Sequence, residues 1–155
     1  MNRTALATAF LTVVLATSAC SEDIQPELLS VSIEGYESWD KVEPLLGPVP
    51  GHGDTYRIMY RNELARSYTG AGDYPIGAAI VKEIYTLSGE DGKGKLSYKA
   101  VMRRMDPEDN PGVPIDGGWL FTQIDSGTDE FQRDLCWSSC HRAAPYVGAF
   151  FDHAY

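Results

Sequence analysis

The hexapeptide Cys136-Trp137-Ser138-Ser139-Cys140-His141 sets the strongest condition on any fold this chain adopts. Two cysteines followed at once by a histidine read as a covalent haem attachment site: the thiols add across the two vinyl groups and the histidine binds iron on the proximal side. Three residues separate the cysteines where two are usual. On a helix, a spacing of four carries the second cysteine ~6 Å along the axis and ~40° round it, against ~4.5 Å and ~60° for a spacing of three. Either spacing keeps both sulfurs on one face, and a local bulge could absorb the extra residue. Two other readings stay open, while a third, two free buried thiols, does not suit an oxidising compartment. A Cys136–Cys140 disulfide fits, since ~6 Å between Cα atoms lies inside the permitted range. A zinc site would need a fourth ligand from His52 or His153.

The N-terminus gives an address. Arg3 precedes an apolar run from Ala5 to Ala16 that is short for a membrane span, and Thr17-Ser18-Ala19-Cys20 follows. Residues 1–19 therefore read as a secretory signal, and ending on Cys20 makes it resemble a bacterial lipoprotein signal with Cys20 lipidated. Thr17 departs from the leucine commoner there. Ser21, not Asp, follows the cysteine, which points to the outer membrane. The expected location is the periplasm, with contact to a membrane only through the lipid. One cysteine for lipid and two for haem or a disulfide leave no odd thiol.

Cleavage after residue 19 removes Arg3 and leaves 12 basic and 22 acidic side chains, a net −10. That charge suits neither nucleic acid nor an anionic lipid surface. The remaining length makes one domain: residues 20–34 are an acidic tether and residues 35–155 the fold.

Along that fold, Tyr36 to Glu43 could open a short helix with Trp39 packing inward. The Pro44-to-Gly53 stretch, dense in Pro and Gly, reads as a loop. Tyr56, Ile58 and Tyr60 alternate with Arg57, Met59 and Arg61, the period-two signal of a strand. A short helix is expected over 63–68, strands over 78–85, 96–105 and 119–124, and a helix over 129–144 with Thr128 as N-cap, stopped by Pro145. A last short strand is expected over 146–151. The expected class is α+β: mainly an antiparallel sheet with a few short helices, the late one carrying the attachment motif.

The order of the pieces His52-Gly53-Asp54, Tyr56 to Asn62, Tyr74-Pro75-Ile76-Gly77, Ile80 to Glu83, Gly117 to Phe121 and Cys136…Cys140-His141 resembles the cytochrome P-460 family and the related cytochrome c′-beta group. The resemblance spans residues 36 to about 151. It implies a small, β-rich, periplasmic c-type cytochrome, mostly dimeric, with one covalent haem c and an open iron site. P-460 members oxidise hydroxylamine and carry a lysine joined to the macrocycle. The c′-beta members lack that link and bind nitric oxide or carbon monoxide. A small nitrogen-oxide substrate or gas ligand and a soluble periplasmic electron carrier are the implied partners.

On this footing Cys136 and Cys140 would hold haem and His141 would be the iron ligand. Lys82, between Ile80 and Ile84 on one strand face, is the candidate for the cross-link; otherwise its stem lies along the sheet with its head in water. Arg57 could hydrogen-bond a bound ligand and stabilise developing negative charge, or pair with a surface acid, and Arg61 is open to the same two readings. The third expected strand contains no acid to act as proton acceptor, and Glu83, Asp106 and Glu108 do not clearly fill that place. Met59, Met102 and Met105 are candidates for a sixth ligand or for core filling. Tyr98, Trp119, Phe121, Phe150 and Phe151 could wall the pocket.

Overall fold

Alternation across a pleated strand decides most of the architecture. The computed structural model describes residues 33–89, 92–109, 113, 117–125, 129–131 and 133–150. The expected signal, Cys20 and most of the tether lie outside these, as do Thr128, Phe151 and His153. Six strands, β1 (Asp40–Val49), β2 (Gly53–Arg61), β3 (Ala79–Tyr85), β4 (Leu96–Arg104), β5 (Trp119–Ile124) and β6 (Asp129–Phe131), form one sheet in chain order. Every neighbouring pair is antiparallel.

Both faces of the sheet are covered. On one, Ile80, Met102, Trp119 and Phe121 pack with Ala65, Tyr68, Tyr74, Trp137 and Ala149. On the other, Ile58, Tyr60, Val81, Val101 and Leu120 pack with Ile33, Tyr36 and Val113. Cross-strand register assigns residues to the first face: Met59 opposes Lys82 and Lys82 opposes Ala100, while Ile80 opposes Met102 and Met102 opposes Phe121.

The class is largely β, and this corrects the α+β expectation. The helix expected over 129–144 is absent. Asp129–Phe131 instead pairs with β5, which gives part of that strand's open edge a partner. A single π-helical turn follows over Arg133–Ser138, and a 3-10 turn over His141–Ala143. Cys140 between them has φ −136° and ψ −64°, so no continuous helix carries the whole motif. The expected last strand is reduced to one antiparallel bridge, Tyr146 to Ala149, around a turn with positive φ at Val147 and Gly148.

Two expectations at the start of the domain are also overturned. The helix expected from Tyr36 is one 3-10 turn, Tyr36–Ser38, and regular strand begins at Asp40. The Pro/Gly stretch after it is not a loop until Val49. β1 is an edge strand, where a proline's missing N–H removes no ladder bond that the sheet needs, and the register shifts between Val42 and Leu45 around Pro44. The short helix α1 does form, over Glu63–Arg66, with the Asn62 side chain capping the Ala65 N–H at 2.8 Å. Trp39 is partly buried against the second face, as expected.

Candidate functional site

The first face of the sheet carries a cleft bordered by Ile80 and Lys82 of β3, Ala100 and Met102 of β4, Phe121 of β5, and Cys136, His141, Ala149 and Phe150 of the late turns. His52, from the turn between β1 and β2, closes another side. About 500 Å³ of atom-free space lies within it, part of it open to solvent.

The π-helical turn explains how the motif reaches this cleft. The indole of Trp137 is buried among Phe121 and its neighbours, with ring centroids 6.2 Å apart, while Leu135 faces solvent. Between them Cys136 packs against the core and borders the cleft. Gly117 makes room for the indole, because a Cβ there would overlap the Trp137 ring. Both thiols are free; Cys136 borders the cleft, and Cys140 is partly buried and does not line it.

His141 is held from behind. Its Nδ1 lies 2.6 Å from the carbonyl oxygen of Gly148, so Nδ1–H donates and Nε2 keeps its lone pair. Gly148 is fixed in turn: the indole N–H of Trp119 donates to Val147 O at 2.6 Å. Gly148 has φ 94°, a left-handed conformation that suits glycine, and a Cβ there would meet Trp119 Nε1 at 2.7 Å. Phe121 and Phe150 flank the imidazole, at 4.8 Å and 5.2 Å between centroids. Burial pushes the His141 pKa down, with the Gly148 bond opposing and the Lys82 charge adding to the shift. Burial also pushes the Cys136 thiol up, and Lys82 partly offsets this.

Lys82 enters the same cleft. Its Nζ is 3.4 Å from His52 Nε2, and His52 Nδ1 is 2.9 Å from the Tyr98 hydroxyl. Burial, then the charge of Arg57, lowers the Lys82 pKa to about 8; Cys136 pulls the other way. Burial, then Lys82, His141 and Arg57, lowers His52 to about 4, so its imidazole is neutral at pH 7. Arg57 shares the face of Lys82 but does not line the cleft. Its guanidinium donates to Gly47 O at 2.7 Å and Thr55 Oγ1 at 3.0 Å, bracing the β1–β2 hairpin. Arg61 is bound to Asp40 at 2.6 Å.

Of the candidate proton acceptors, Glu83 is on the opposite face. It accepts from the hydroxyls of Tyr36 at 2.8 Å, Tyr60 at 3.3 Å and Tyr85 at 2.7 Å. Asp106 and Glu108 sit in the turn after β4 and do not border the cleft. Met102 lines the cleft. Met59 is buried opposite Lys82, and Met105 packs on the other face. Among the aromatics, Phe121 and Phe150 are walls and Trp119 is core.

His52 and Tyr98 stand among the sequence candidates, but the link that joins them to Lys82 does not. His52 stands alone in a Pro/Gly turn, and its tie to Lys82 and Tyr98 exists only once three neighbouring strands are in register.

The donor set fits haem better than a bare metal ion. Among the described residues no three His, Cys, Asp or Glu side chains come together to hold a metal. Haem needs only one protein nitrogen because its macrocycle supplies the other four, and His141 Nε2 is free for that bond. The apolar walls and the Cys136 thiol at the cleft suit a flat apolar group, while Cys140 does not border the cleft. The chain matches no protein-family model and no curated protein.

Proposed function

We propose that the chain is a lipid-anchored periplasmic c-type haem protein with an open site for a small nitrogen-oxide ligand. Cys136 and Cys140 would be the thioether residues and His141 the proximal ligand. One observation carries this reading: Cys136 and a histidine with Nδ1 tied to Gly148 border one apolar cleft. Haem held there supplies an iron that can bind nitric oxide or exchange electrons with hydroxylamine. The chain's own part is to fix the imidazole tautomer, wall the cleft with the buried Phe121, and set its polarity through Lys82 and His52.

Two forms of this reading differ in Lys82. In the hydroxylamine-oxidising form, Lys82 is joined to the macrocycle and a nearby base takes protons. In the second form the protein binds nitric oxide or carbon monoxide without turnover and Lys82 stays free. A specific observation favours the second: among the described residues no carboxylate borders the cleft, and Glu83 is engaged by three tyrosines on the far face.

Expression in a host with haem-attachment machinery tests both, read by optical spectrum and by intact mass before and after Lys82→Ala. An ordinary ferrous Soret band unchanged by Lys82→Ala supports binding. A red-shifted band lost in Lys82→Ala supports the oxidising enzyme. A colourless protein leaves a structural lipoprotein closed by a Cys136–Cys140 disulfide.

A further inference from the structure

Among the described residues the cleft presents a cation with no carboxylate lining to meet it. Lys82 Nζ borders it, and the lining side chains among the described residues include no Asp or Glu. The hydrogen-bond partner seen for Nζ among them is His52 Nε2, at a long 3.4 Å. Arg57, one strand away on the same face, adds positive field without lending a counter-charge. An ammonium in apolar surroundings costs free energy that a bound anion recovers.

We propose that the Lys82–His52 end of the cleft binds a small, weakly hydrated inorganic anion of the azide or nitrite type. The ammonium of Lys82 donates to the anion. The ammonium also donates to His52 Nε2, so Nδ1–H of His52 donates to the Tyr98 hydroxyl and the imidazole positions Nζ towards the anion. Ile80, Met102 and Phe121 wall the cleft, so an anion must shed water to enter. That favours azide or nitrite over sulfate, whose dehydration these walls do not repay. The inference rests on the binding form of the function above, because Lys82 must keep a free ammonium. It does not depend on haem.

The test titrates azide and nitrite into the full-length purified protein, followed by calorimetry and thermal midpoint, with sulfate as comparison. Saturable binding is expected in the native protein. Lys82→Met should weaken it by tenfold or more, about the loss of one charge-assisted bond. Lys82→Arg should retain most of it and His52→Phe should give an intermediate loss. Circular dichroism checks that each variant is folded. Equal affinity in the native protein and Lys82→Met, or no saturable binding in the native protein, overturns the proposal. So does a peptide map with Lys82 covalently joined to haem. A colourless protein that binds azide through Lys82 would sink the haem reading and leave the anion site standing. A haem-bearing protein whose azide affinity ignores Lys82→Met would do the reverse.

Discussion

Lys82 and Glu83 are neighbours on β3 and serve opposite faces of the sheet. The ammonium borders the cleft, while the carboxylate is buried among three tyrosine hydroxyls. Strand alternation forces this division, and with it the absence of Glu83 from the chemistry of the site.

Glu83 is therefore expected to matter for stability and not for the cleft. Glu83→Ala removes the acceptor of three partly or fully buried hydroxyls and should cost about 3 kcal/mol in denaturant unfolding. The optical spectrum and ligand affinity should stay as they were. A changed spectrum at normal stability would contradict this division.

Lys82 should show the opposite pattern. Its pKa falls from 10.5 to about 8 on folding, so the unfolded chain holds that proton more tightly between these values. The penalty for the charge is then fully present below about pH 8 and fades as pH rises towards 10.5. Lys82→Met should stabilise the protein by about 1–3 kcal/mol near neutral pH, without added azide or nitrite. Most of that gain should vanish by the upper end of the window. Unfolding free energies measured across pH check the slope; a gain that grows with pH would be the wrong sign.

Gly148 is the point where backbone conformation reaches the imidazole. Gly148→Ala places a side chain at φ 94° and against Trp119, and should cost about 1–3 kcal/mol in thermal unfolding. It should also reduce the yield of haem-bearing protein, because the carbonyl that orients His141 moves. Full haem loading at normal stability would show that this carbonyl is dispensable.

Arg57 braces a hairpin. Arg57→Gln should lower stability by about 1–2 kcal/mol through its lost bonds to Gly47 and Thr55. Ligand affinity should change less than about threefold, since the side chain does not border the cleft. A large loss of affinity without destabilisation would return Arg57 to the site.

How far sequence reached depended on which force fixed each residue. The alternation of Tyr56 to Arg61 and the apolar runs at 78–85 and 119–124 announced β2, β3 and β5, because burial of one or both faces writes a period into the chain. β1 was hidden because Pro44 and Pro48 mark loops elsewhere but are tolerated on an edge. The late segment misled for a different reason. Asp129 to Ala144 has helix-compatible composition, yet tertiary demands override it: the edge of β5 takes up residues 129–131, and Trp137 needs the space above Gly117. Cys136, His141 and Lys82 were legible as candidates because their chemistry is unusual in those positions. Their meeting in one cleft, and the part of His52 and Tyr98 in it, belong to register and could not be read from spacing.

The central claim is that Cys136, Cys140 and His141 hold a covalent haem. Its most direct test is the intact mass of the periplasmically expressed protein beside that of Cys136→Ala/Cys140→Ala, each with its absorption spectrum. The account predicts one haem per chain, with a Soret band that survives denaturation and extraction in the native protein and is lost from the double variant. A colourless native protein of unmodified mass, from a host shown to attach haem to a control cytochrome, would contradict it.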